Sequence, residues 1–206
     1  MSLEFILPVF AVLILSLSFH EAAHAWAADR LGDPTARQLG RLTMNPIKHI
    51  DPIGTVLFPL IAITTGFPVI GWARPVPVNL RNLKAPRRDY ALVALAGPVS
   101  NLVLAAAAGL ALAASDVTPL PGGSWLPGSL LNWMLVLNVL LAVFNMIPVP
   151  PLDGGNVLAG IAPEPVARLI DAIRPYGFIL LYVLLLTGML DVVFGPVQNW
   201  VLSWFR

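Results

Sequence analysis

The sequence predicts an all-α polytopic membrane protein, a transmembrane helix bundle with a short membrane-associated β segment. Three observations lead there. Of its 206 residues 57% are hydrophobic and 11% charged, and the mean hydropathy is +0.80, far more apolar than a water-soluble domain. Apolar stretches long enough to cross a hydrocarbon core, which takes roughly 20 helical residues, recur at 4–28, 90–114, 129–148 and 176–194. The basic residues cluster between these stretches instead of spreading over a surface. No basic face with interleaved aromatics is present, so nucleic acid is excluded as a partner. The chain has no cysteine, which rules out disulfides, thiolate metal ligands and a cysteine nucleophile.

The first apolar run, Phe5–Phe19, is preceded by Glu4 instead of a basic segment and followed directly by His20 and Glu21, so it reads as a retained helix and not a signal peptide. Residues 37–44 and 72–79 read as short strands, the second carrying prolines suited to a sheet edge. Pro52–Gly71 is apolar but holds Gly54, Pro59, Gly66 and Pro68, and two readings stand for it: re-entrant, or a full span. The helix 129–148 is closed by Pro148, Pro150 and Pro151. The tail Pro196–Arg206, with Trp200, Trp204 and Phe205, reads as an interfacial helix with aromatic rings at headgroup level. With no repeat or flexible linker, residues 1–206 form one membrane-embedded domain without an appended soluble one.

Charge placement orients these elements. Arg30, Arg37, Arg41 and Lys48 follow the first helix, Arg74, Arg81, Lys84, Arg87 and Arg88 precede the second, and Arg168 and Arg174 precede the last. The N-terminus offers Glu4 and the Ser115–Gly128 loop only Asp116. The three basic segments are therefore placed on the cytoplasmic side of a multi-pass cell-membrane protein.

His20-Glu21-Ala22-Ala23-His24 fits the H-E-x-x-H pattern, which sets two imidazoles on one helical face to share a metal, with a glutamate beside them. Two histidines could instead be buried polar groups pairing with neighbouring helices. Three ionisable side chains within five residues of a membrane helix are costly, however, and such groups mark a site or pathway. At about 1.5 Å per residue the pair lies roughly 24 Å from the outer helix end and about 9 Å from Arg30, inside the membrane and nearer the cytoplasm. The surrounding Ala22, Ala23, Ala25, Ala27 and Ala28 let another helix approach closely.

That partner should bring the third ligand. Asp153 follows the proline break and precedes Gly154 and Gly155, and broken backbone at membrane depth is tolerated where it lines a cavity or is buried in protein. Its alternative is a solvated turn residue. His20, His24 and Asp153 with an open fourth position have the composition of a catalytic zinc site, one Zn2+ per chain, with Glu21 as general base, although two histidines and a carboxylate taken alone also suit iron. His49, the one remaining histidine, is read as structural or gating, with ligation as the alternative.

The His20–His24 motif, the Ala96-Gly97-Pro98-x-x-Asn101 segment and Asn145…Pro148…Leu152-Asp153-Gly154, in this order, resemble the site-2 protease family of intramembrane zinc metalloproteases, in its short form without a PDZ or other accessory domain. The resemblance covers essentially the whole chain. It implies a three-helix catalytic core, zinc on the cytoplasmic side of mid-membrane, endoproteolysis of substrates that are transmembrane proteins or peptides, and a role for Asn145 in binding a substrate carbonyl, against a plain helix–helix hydrogen bond. Helical substrates must unwind before attack, and one of the two strands would pair with unwound substrate. Two other functions compete: an intramembrane metal-binding transporter, which gives Glu21 no task, and a noncatalytic scaffold of the same fold.

Overall fold

The computed structural model describes residues 3–65, 71–114 and 127–203. Helix α1, Leu3–Arg30, runs for 28 residues, about 42 Å at 1.5 Å per residue, more than the hydrocarbon thickness. A short helix α2, Thr35–Gln38, follows. A π-helical turn at Pro52–Leu57 leads into α3, Phe58–Thr65. Helix α4, Pro86–Ala113, is again 28 residues long and starts on a proline, whose missing N–H costs nothing in the first turn. Helix α5, Pro127–Asn145, stops three residues before Pro148, and the proline-rich break ends at α6, Asp153–Ile161. Then come α7, Glu164–Ile173, α8, Gly177–Leu186, and α9, Met189–Ser203.

Helices α1, α4 and α5 pack together, and α6 lies along α4. Small residues make this possible: Ala25 and Ala28 of α1 are fully buried, and Ala91 and Ala94 of α4 are nearly so, so the backbones approach closely. A second apolar cluster joins Ala105, Ala108 and Leu112 of α4 to Leu135 and Val139 of α5 and Val201 of α9. On the outer surface large apolar side chains stand exposed, Leu110 at 73% and Val192 at 75%, an arrangement suited to lipid and unfavourable in water.

Among the described residues three helices are long and apolar enough to cross a membrane: Leu7–Arg30, Pro86–Ala113 and Glu164–Leu186, the last counted through α7 and α8; Leu130–Asn145 is apolar but shorter. The expected span at 176–194 is therefore displaced. It begins earlier and is broken after Leu186, where Gly188 takes a left-handed φ of +73° that ends α8 and redirects the chain into α9. The apolar segment after Pro52 forms the π turn and α3, while Gly66 and Pro68 lie outside the described residues. So do the Asp116 loop, at 115–126, and Trp204 and Phe205. Trp200, on α9, is 57% exposed.

The short β segment is a correction: no strand is present among the described residues. Arg37 and Gln38 belong to α2, and Gly40 turns the chain with a φ of +65°. Residues 71–79 form no ladder because their N–H groups go to separate acceptors. Trp72 N–H donates to Gly54 O (3.2 Å) and Arg74 N–H to His49 O (2.8 Å), Val76 N–H to Glu21 Oε2 (2.9 Å), and Asn79 N–H to Asp33 Oδ2 (2.6 Å). Pro75 and Pro77 have no N–H to offer.

Asp33 ties this segment to the end of α1. It is fully buried, and accepts from Thr35 Oγ1 (2.5 Å), Thr35 N–H (3.2 Å) and Asn82 Nδ2 (2.8 Å) besides Asn79. Burial pushes its carboxyl up, but these hydrogen bonds outweigh burial and hold it below the usual carboxylate range. A carboxyl lowered in the folded state stabilises fully above its unfolded value of about 3.9 and loses that contribution as pH falls through the folded value. Asp33→Ala is therefore expected to destabilise the detergent-solubilised protein by about 3 kcal/mol at pH 7, with the gap from wild type narrowing below about pH 4. Thermal melts over that pH range check this; a gap that does not change with pH would count against it.

Candidate metal centre

The histidine spacing does on α1 what helical geometry requires. His20 and His24 sit one above the other, 4% and 8% exposed, with ring centroids 4.6 Å apart and planes nearly perpendicular. Asp153, at the first residue of α6, reaches them from the proline break: its Oδ2 lies 3.0 Å from His20 Nε2 and 3.4 Å from His24 Nε2. One ligand atom from each of the three residues lies within 4.8 Å of the other two. Gly154 and Gly155 let this turn press against the preceding chain, because a Cβ on either would meet backbone of residues 146–150 at 2.4–2.7 Å.

Helix α4 fixes both rings. His24 Nδ1 lies 2.7 Å from Val93 O, and a backbone carbonyl only accepts, so Nδ1 carries the proton and Nε2 presents a lone pair. His20 Nδ1 lies 2.6 Å from Asn101 Oδ1, with the same consequence. Two imidazole lone pairs and Asp153 Oδ2, a buried oxygen without a hydrogen-bond donor, thus point at one spot. Three acceptors facing each other repel unless a cation or proton sits among them. Gly97, one turn from both Val93 and Asn101, keeps that spot open: a Cβ on it would lie 2.5 Å from Nε2 of both histidines. The donor set fits zinc, two nitrogens and one oxygen with room for a further ligand.

Glu21 stays out of this group. It lines a cavity of about 620 Å³ shared with His20, His24 and Asp153, and its Oε2 accepts the Val76 N–H. The cavity is otherwise mainly apolar, with Phe10, Leu17, Phe144 and Leu181 in its wall. Trp72 closes part of it, its ring packed over Gly54 and against Phe58 of α3 (5.0 Å) and Phe178 of α8 (5.3 Å).

Asn145 also lines the cavity, with its Nδ2 donating to Leu141 O of its own helix at 2.9 Å. His49 is not brought to the group. It is 2% exposed, donates from Nε2 to Thr43 O at 2.8 Å, and its carbonyl accepts the Arg74 N–H. Sequence reading assigned no task to Asn101, Val93 O or Val76 N–H. The signal available for Asn101 was an amide buried in an apolar span; the two backbone groups left none.

A family model described as Peptidase family M50 matches residues 124–186, which include α5, Asp153 and α8. The Bacillus subtilis (strain 168) protein named "Putative zinc metalloprotease YwhC" is 41% identical over 197 residues, covering 91% of this chain and 84% of its own length. The Mycolicibacterium smegmatis protein named "Putative zinc metalloprotease Rip2" is 34% identical over 197 residues, covering 93% of this chain and 71% of its own length. A protein of the same name from Mycobacterium tuberculosis (strain H37Rv) is 31% identical over 195 residues, covering 94% and 72%. No solved structure gives a significant match. With this similarity extending along nearly the whole chain, the protein belongs to peptidase family M50, the site-2 protease family.

Proposed function

We propose that this zinc metalloprotease is a multi-pass protein of the cell membrane that hydrolyses peptide bonds within or beside transmembrane segments of other membrane proteins, with its site toward the cytoplasm. The observation that carries the reading is the convergence of His20 Nε2, His24 Nε2 and Asp153 Oδ2 on one spot, the two histidines lying on a helix apolar enough to cross a membrane and Glu21 in the same cavity. The basic residues clustered after α1 and before α4 support the orientation.

His20, His24 and Asp153 would hold the zinc. When bound, zinc polarises the scissile carbonyl and brings the pKa of a coordinated water to about 7. Glu21 receives the proton from the attacking water and returns it to the departing amine. The Val76 N–H holds one oxygen of that carboxylate, which leaves the second for proton transfer. Asn145, which lines the same cavity from α5, would hydrogen-bond the substrate carbonyl. A helical substrate has its carbonyls bonded within the helix, so it unwinds before it can enter, and the apolar cavity wall accepts its side chains.

The test is cleavage of a tagged single-span protein co-reconstituted in vesicles with the purified enzyme, with cut sites mapped by mass spectrometry. Cuts are expected within or next to the span, to stop with 1,10-phenanthroline and to return with added zinc. Cleavage confined to soluble peptides, or zinc flux into the vesicles without proteolysis, would overturn the proposal.

A further inference from the structure

Beyond the residues that would touch metal or substrate, α4 and α5 carry two amides that do neither. Asn101 and Asn138 are both fully buried in apolar helices, as is Ser16 of α1. Burying an amide costs free energy unless its partners are supplied, and three helices supply them here. Asn138 Nδ2 donates to Met134 O (2.7 Å) and to Ser16 Oγ (2.9 Å). Asn101 Nδ2 donates to Asn138 Oδ1 (2.8 Å), with Ser16 O at 3.5 Å. Asn101 Oδ1 faces His20 Nδ1.

The direction of every bond in this chain follows from its far end. Met134 O is a backbone carbonyl and can only accept, so the Asn138 group beside it is the NH2, and its oxygen must face Asn101. Asn101 must then turn its own NH2 toward Asn138, a choice that Ser16 O reinforces, and present its oxygen to His20. An oxygen there requires Nδ1–H, and only that tautomer leaves Nε2 bare toward Asp153. His24 needs no such relay, because Val93 O imposes the same tautomer directly.

We infer that Asn138 is a positioning residue for the metal centre, fixing the tautomer and ring orientation of His20 through Asn101. The inference rests on the zinc reading of the site. Without Asn138, Asn101 has only Ser16 O to orient it, and its flipped form offers an N–H to Nδ1 and stabilises the tautomer whose Nε2 is protonated and cannot bind metal. Partners one step behind a ligand change metal affinity by about 10–100-fold, and Asn138, acting through an intervening amide, is expected near the lower figure.

The experiment measures zinc affinity of the purified, detergent-solubilised protein by competition with a chromophoric chelator, and the His20 tautomer by 15N NMR of histidine-labelled metal-free protein, at a pH alkaline enough to remove the proton that the metal-facing acceptors share when zinc is absent. Wild type is expected to bind one zinc and to show the Nδ1–H form. Asn138→Leu is expected to bind about tenfold more weakly and to show mixed tautomers at His20 but not at His24. Ser16→Ala, which keeps the Met134 O to His20 path, should stay within about twofold of wild type by the same relay argument. Asn101→Asp supplies His20 with an acceptor from either oxygen, so Asn101→Asp/Asn138→Leu should recover affinity, which a purely packing role of Asn138 does not allow. If Asn138→Leu does not fold, Asn138→Ser, too short to span from Met134 O to Asn101, takes its place. A folded Asn138 variant with unchanged zinc affinity and a pure Nδ1–H His20 overturns the inference. No zinc bound by wild type overturns the zinc reading itself.

Discussion

Glu21→Gln is expected to lower proteolysis by about 10²- to 10⁴-fold, the usual contribution of a general acid–base group, while the protein keeps one zinc. The substitution is nearly isosteric, and the carboxamide oxygen still accepts the Val76 N–H, so the strap from 71 to 79 stays attached. None of the metal-facing atoms belongs to Glu21, so the ligand set around the zinc remains. What disappears is the ability to take up a proton. Rates on a transmembrane substrate, with zinc measured on the same samples, check the result. Zinc lost in step with activity would make Glu21 a ligand or a structural group, and undiminished cleavage would move the base elsewhere.

Gly97→Ala is expected to lower zinc affinity by more than about 100-fold, more than removal of a single supporting partner, and to remove proteolysis with it. Added to a helix interior, a methyl normally helps, since alanine is favoured over glycine by about 1 kcal/mol. Here the methyl would stand 2.5 Å from Nε2 of both histidines, in the place the metal needs. The overlap forces the buried rings or the two helices apart, so overpacking outweighs the gain in helix propensity and the melting temperature is expected to fall as zinc and cleavage go. Gly109→Ala on the same helix meets only Leu135 Cδ1 at 3.9 Å and serves as the control that keeps zinc. Stoichiometric zinc in Gly97→Ala would show that α1 and α4 are not held as closely as described.

His20 and His24 were legible because a spacing of four converts directly into one helical face, and Asp153 because prolines before it and glycines after it mark a break that only protein surroundings tolerate. The supports of the rings were not legible in the same way. That Val93 O meets His24 and Asn101 meets His20 depends on the register of α1 against α4, set by packing of residues some 70–80 positions apart. Extended residues 72–79 were read as a strand because extension was all that the pattern encoded; their acceptors on Gly54, His49, Glu21 and Asp33 come from four different places in the chain. Composition likewise marked 176–194 as apolar without marking the turn at Gly188, since leucine and valine continue on both sides of it.

Val93, Gly97 and Asn101 follow one another at intervals of four, antiparallel to His24 and His20, so α4 works as a ruler laid against α1. Each helical residue advances the azimuth by about 100°. One residue gained or lost between Val93 and Asn101 would therefore turn one mark of the ruler off the metal face while the other stayed on it, leaving a single imidazole oriented. A relative that retains H-E-x-x-H but has a different count between these marks carries the ligands without the alignment that makes them a pair.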